Sequence, residues 1–130
     1  MTANNGILVV GYDSDTSHIL ELWLSHLGYV VWIIDDPDRA LAVALAVRPG
    51  LVITNYPTRL ASGRTVVETV RATPELAGTP LLNLTSHAFS HELEGAAAAG
   101  ANRSLRMPAS LDTIARAIAR LTSPHAGEQS

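Results

Sequence analysis

Cysteine is absent from the 130-residue sequence, which removes disulfides, thiolate zinc sites and cysteine nucleophiles together. Charge is sparse: 16% of residues are charged and the formal net charge is −3. Nothing in that balance points to nucleic acid or an anionic membrane as the main partner. Long apolar runs are missing too. The first one, residues 7–10, is far too short to span a membrane, and the polar MTANNG before it lacks the basic region of a signal peptide. These absences lead to the expectation of a cytoplasmic domain with no membrane or nucleic-acid partner. What is present is 47% apolar residues, enough for a core in a chain of this length. Residues 1–122 are expected to form one domain, and the tail of residues 123–130 to be disordered.

Short apolar runs alternate with helical patterns. GILVVG at residues 6–11, YVVWII at 29–34, LVITN at 51–55 and LLNLT at 81–85 read as strands, bounded by glycine, proline or capping residues. Between the first two, Asp13, Ser14 and Asp15 offer caps to a helix with an apolar stripe through Ile19, Leu20, Trp23, Leu24 and Leu27, closed by Gly28. Asp36-Pro37 starts a second helix at its favoured N-cap and N1 positions, with Asp38 complementing the helix dipole. That helix runs through Leu41, Ala44 and Leu45 to Arg48. The loop YPTRLASG leads into a third helix around Val66, Val67 and Val70. Ser90 caps an alanine-rich fourth helix that Gly100 closes, and residues 101–107 are polar enough to be an edge strand. Ser110 caps a last helix with Leu111, Ile114, Ala115, Ile118 and Leu121 on one face.

Strict βα alternation implies a doubly wound five-stranded parallel sheet, an α/β architecture for which the flavodoxin-like order 2-1-3-4-5 is the natural choice. That order brings the carboxyl ends of the first, third and fourth strands into one crevice. Gly11, Tyr12, Asp13, Asn55 and Thr85 are expected there.

The ordered set ILVV, PGLVITN, Gly63 before the third helix, LLNLTSHA, AGAN and Met107-Pro108 resembles a response-regulator receiver domain over nearly the whole chain. The resemblance implies autophosphorylation chemistry built from five positions. Two acids after the first strand hold Mg²⁺, an aspartate ending the third strand accepts the phosphoryl group, and a hydroxyl and a lysine bind its oxygens. Carried onto this sequence, the acids fall on Gly11 and Tyr12, the acceptor on Asn55, the hydroxyl on Thr85 and the lysine on Met107. The family's aromatic switch position falls on Ser104. Only the threonine is kept. With Tyr12, Asn55 and Met107 neutral, Asp13 is the single nearby acid and the pocket is close to balanced without a divalent ion. Asn55 is expected to hydrogen-bond to Thr85 or to backbone.

The resemblance and its departures together imply a degenerate pseudo-receiver. It is expected to be no enzyme, to use no cofactor, to hold no metal tightly, and to signal through a protein partner. No output domain is expected beyond this one, so any downstream effect is expected to pass through that partner.

The other polar groups have simpler expected roles. Asp13 and Asp15 suit helix capping better than residual metal ligation, because two oxygens from one helix start bind Mg²⁺ weakly. His87 and His91 flank the Ser90 cap and so do not share a helix face. His18 and His26 flank the first helix's stripe as solvated groups. Asn83-Leu84-Thr85 matches a glycosylation sequon but lies in an expected buried strand. A nucleotide or flavin site is the rival reading, since GYDSDTS occupies a phosphate-gripping turn, yet its two aspartates repel phosphate.

The last two helices carry the other candidate surface. Glu92 and Glu94 lie on the fourth helix, Arg103 and Arg106 on the fifth strand, and Arg116 and Arg120 one turn apart on the final helix. Receivers commonly dimerise through this face, and a face bearing both signs of charge can be self-complementary about a two-fold axis. A homodimer through it is expected.

Overall fold

The computed structural model describes residues 5–85, 90–107 and 109–122. The apolar runs form strands because both of their faces are covered: every residue is buried in β1 (Gly6–Val10), β3 (Leu51–Thr54) and β4 (Leu81–Thr85). The remaining strands, β2 (Val30–Ile34) and β5 (Arg103–Arg106), lie at the two edges and are partly exposed. All pairings are parallel and the order is β2-β1-β3-β4-β5. The expected doubly wound, flavodoxin-like sheet is therefore the observed one.

Alternation along the strands divides the core in two. Ile7, Val9, Ile53 and Leu82 pack beneath α1 (Ser14–His26) and α5 (Leu111–Thr122). Leu8, Val10, Val52 and Leu81 face the opposite side, with Ala44 of α2 (Ala40–Val47) and Val67 of α3 (Val66–Ala72). Between β4 and β5 runs α4 (Ser90–Ala99), whose Ala96 is fully buried.

Several local details differ from the sequence pattern. The stripe drawn on α1 is too wide: Leu20 and Leu24 reach the core, whereas Ile19 is 61% and Leu27 44% exposed. Adjacent helical residues point about 100° apart, so a helix lying on a sheet buries one of each such pair. In α5 the buried residues are Ile114, Ala117 and Ile118, and Leu111 in the first turn is 51% exposed.

Pro37–Arg39 is a 3₁₀ turn, with Asp36 accepting from Asp38 N at 3.0 Å, and α2 begins only at Ala40. The Asp38 carboxylate, expected to serve the helix dipole, instead accepts from Ala61 N at 2.9 Å and ties down the loop after β3. At the start of α3, Thr65 is the cap. Its hydroxyl accepts from Glu68 N at 3.1 Å while Glu68 accepts from Thr65 N at 3.0 Å, a reciprocal capping box. The tail at 123–130 and His87 lie outside the described residues, as does Pro108.

Candidate functional site

The carboxyl ends of β1, β3 and β4 are neighbours in the sheet, so the crevice predicted from strand order exists as geometry. Its contents decide what it can do.

Gly11 follows β1 with φ +85, a left-handed backbone that suits glycine, and its N–H donates to Ile34 O at 3.0 Å. A Cβ placed on it would meet Thr58 Cγ2 at 2.8 Å and Oγ1 at 3.2 Å. Thr58 is firmly held: its N–H donates to Asn55 O at 2.8 Å and its carbonyl accepts from Val66 N at 3.0 Å. The space beside Gly11, where the receiver resemblance places the first acid, is thus taken by a threonine side chain arriving from the loop after β3. Gly11→Asp is expected to lower stability by about 1–3 kcal/mol from backbone strain alone. Adding Thr58→Ala should recover only the steric part. Urea unfolding of both variants measures this, and a Gly11→Asp protein as stable as its parent would show that position 11 has room.

Tyr12, where the resemblance places the second acid, turns inward. It is 8% exposed, joins the core cluster beneath α1 and α5, and donates its hydroxyl to Leu84 O at 2.7 Å. Burial pushes its ionisation far above the ordinary tyrosine range. Asp13 is exposed and is the N-cap of α1, accepting from Thr16 N at 3.1 Å and Thr16 Oγ1 at 2.6 Å. Those bonds from the Thr16 hydroxyl and backbone hold its carboxyl below the usual range. The capping role weighed for Asp13 is the one it fills.

Asn55 lies just beyond β3, with its backbone carbonyl engaged by Thr58. Its Oδ1 is buried and finds no donor among the described residues, so the expected hydrogen bond to Thr85 or backbone is not made by that oxygen. The backbone donor nearby, Tyr56 N, is taken by Asn83 Oδ1 at 2.8 Å. Thr85 is buried at the end of β4, and its carbonyl accepts from Met107 N at 2.7 Å. The half-buried Met107 packs against the core cluster beneath α1 and α5. No lysine occurs anywhere in the sequence. Among the described residues, no group of three or more His, Asp or Glu side chains is arranged to hold a metal ion.

Asn83 is the residue that sequence reasoning passed over. The sequon pattern marks it only as a buried position, and it is 1% exposed. Its amide bridges two elements, accepting from Tyr56 N and donating to Ser104 Oγ at 3.1 Å. A lone amide inside LLNLT was the available signal, since a buried amide must find partners.

On the candidate interface, Arg103, Arg116 and Arg120 come together with Thr113 and Ala117 around a cavity of about 200 Å³. Arg116 is already paired with Asp112, one turn earlier on α5, and this raises its ionisation further. Arg106 and Glu94 are exposed, while Glu92 is half-buried with His91 Nε2 at 4.0 Å. A second groove, of about 570 Å³, runs between the start of α1 and the end of β2; Asp13, Glu21 and Asp35 line it, with His18. Three carboxylates make it a poor host for the phosphate of a nucleotide or flavin.

No family model matches the chain. An uncharacterized 76.5 kDa protein in the phbC 3′ region of Thiocystis violacea is 26% identical over 117 residues, 90% of this chain. The chain spans 17% of that relative's length. Among solved structures, the chemotaxis protein CheY4 of Vibrio cholerae is 25% identical, with a TM-score of 0.81 over 92% of this chain and 99% of its own. A response regulator from Desulfuromonas acetoxidans is 21% identical, with a TM-score of 0.81 over 89% and 94%. The receiver domain of the sensor histidine kinase PA1611 from Pseudomonas aeruginosa, solved with magnesium in its active-site cleft, is 24% identical, with a TM-score of 0.79 over 92% and 98%. Strand order, crevice and structural neighbours agree: the chain has the flavodoxin-like fold of response-regulator receiver domains.

Proposed function

We propose that this chain is a phosphorylation-independent pseudo-receiver, a cytoplasmic signalling module that neither accepts a phosphoryl group at Asn55 nor binds Mg²⁺ tightly, and that catalyses no reaction. The structural neighbours support a role in two-component signal transduction. The observation that carries the loss of phosphoryl chemistry is the Thr58 side chain lying where any side chain at position 11 would have to go. Four of the five site positions lack the required group, and the two acidic ones are structurally committed elsewhere: one to a close backbone approach, the other to the core. Incubation with acetyl phosphate and Mg²⁺, read by intact mass, is expected to give no phosphoryl adduct. Asn55→Asp is expected to remain unmodified as well, because a new carboxylate alone has neither the metal-holding acids nor the lysine. A base-labile adduct on the wild-type chain would overturn the proposal.

The working surface in this reading is the face made by α4, β5 and α5, used for contacts with a protein partner and with a second copy. Support comes from the arginine-lined cavity between β5 and α5 and from the acids of α4. Asp112 tempers the basic side of that face, so Arg103 and Arg120 are the groups left for an acidic counterpart. Reversing charge at Arg116 and Arg120 is expected to convert a dimer to a monomer by light scattering. A wild-type monomer at high concentration would end the dimer proposal.

A further inference from the structure

The crevice and the α4–β5 surface are joined in this protein by a fixed polar bridge. Asn83 lies in mid-β4 and pairs in register with Ser104 of β5. From there its side chain reaches sideways in both directions, accepting from the backbone N–H of Tyr56 beyond β3 at 2.8 Å and donating to Ser104 Oγ at 3.1 Å. Three neighbouring elements are therefore pinned by one fully buried amide. Tyr56 extends the connection: a Cβ placed on Gly95 of α4 would lie 3.1 Å from the Tyr56 hydroxyl and 3.3 Å from Cε2. The tyrosine ring thus rests directly on the α4 backbone, and the residue whose main chain Asn83 holds is the one on which α4 is seated.

We infer that Asn83 is the positioning residue that keeps the α4–β5 surface in one conformation, whatever occupies the crevice. A small hydroxyl at position 104, tethered inward, has no bulky side chain to swing between buried and exposed positions. Breaking the bridge leaves a backbone donor and a hydroxyl without their buried partner, which opposes rearrangement. A surface without a second populated state cannot be reset by a ligand that binds elsewhere. The consequence is a module that presents its surface constitutively, so that its output follows its abundance and its partners. This rests on the proposed role of that surface and adds to it the absence of switching.

Relaxation-dispersion NMR on the 130-residue chain tests the inference, because it reads motion on the microsecond-to-millisecond scale on which such surfaces switch. Wild type is expected to show no exchange contribution at the amides of α4 and β5. Asn83→Ala should introduce exchange at Gly95 and at Ser104 together. Ser104→Ala removes only the β5 arm, so exchange should appear in β5 while Gly95 stays quiet; this variant decides the matter if Asn83→Ala does not fold. Val9→Ala, a small cavity in β1 outside both the bridge and the crevice, should leave both sites quiet. Exchange across α4 and β5 in the wild type, or an equal response to Val9→Ala, would overturn the inference. Either result leaves the absence of phosphorylation untouched, whereas a phosphoryl adduct would sink the proposed function and leave the bridge to be judged by dispersion.

Discussion

Tyr12→Asp, the substitution that would restore the second acid of a receiver site, is expected to bring the protein to the edge of unfolding and to create no metal site. Truncating a buried aromatic residue costs about 3–5 kcal/mol, and a whole domain is typically stable by only about 5–15 kcal/mol. The new carboxylate would also sit where burial already strongly disfavours charge, among the apolar residues beneath α1 and α5. Tyr12→Phe separates the contributions: it keeps the ring and leaves only the Leu84 carbonyl without its donor, for a loss of about 1–2 kcal/mol. Denaturant unfolding followed by tryptophan fluorescence measures both. A Tyr12→Asp chain within 1 kcal/mol of wild type, a threshold on the scale of an ordinary point mutation, would show that Tyr12 is not a core residue.

The same side chain sets an alkaline limit. Tyrosine in the unfolded chain ionises near pH 10, and in the folded protein well above it. A group with its folded pKa raised contributes stability that is complete below the unfolded value and is lost as pH climbs past it. Above about pH 10 the folded state should therefore lose close to 1.4 kcal/mol per pH unit through Tyr12, and Tyr12→Phe should remove that slope.

Arg71→Ala is expected to be the most damaging substitution at a charged residue, with a loss of about 3 kcal/mol. Arg71, half-buried on α3, donates to the carbonyls of Gly100 at 2.9 Å, Ala77 at 2.9 Å and Thr79 at 2.7 Å, and to Asn102 Oδ1 at 2.6 Å. Asn102 passes the contact on, its Oδ1 also accepting from Leu81 N at 2.7 Å at the start of β4. One guanidinium thus closes the end of α4, the turn before β4 and the entry to β5. Burial lowers its ionisation somewhat, yet it stays charged. Lysine should rescue little, because a single ammonium group cannot reproduce the planar fork that serves four acceptors. Urea unfolding of Arg71→Ala and Arg71→Lys tests this; a lysine variant equal to wild type would show that charge alone suffices.

Much of the fold was legible in the sequence because its signals are local. Runs such as LVIT and LLNLT mark interior strands wherever both faces must be apolar, and Asp13 marks a helix start through its own short-range bonds to Thr16. Strict alternation of elements then left one natural sheet order. The α1 stripe and the start of α2 were misjudged because burial depends on how a helix lies on the sheet. The same limit applied to the interface: the Asp112 to Arg116 spacing was visible, but only the folded α5 showed the pair formed beside the Arg103 and Arg120 cavity.

The sequence by itself determined that the chain would fold as a doubly wound parallel sheet and that its crevice would hold no acceptor aspartate and no lysine. Those are statements about residue identity and local pattern, which the linear chain carries in full. Tertiary structure alone decided what surrounds these positions. Thr58 came to lie against Gly11, Tyr12 entered the core to meet Leu84, and Asn83 joined Tyr56 to Ser104, across separations of 47, 72, 27 and 21 residues. Contacts between residues so distant leave no periodicity to read. They exist only once parallel pairing has brought the strand ends together, which is why the residues at the strand ends could be read in sequence and the contacts they make could not.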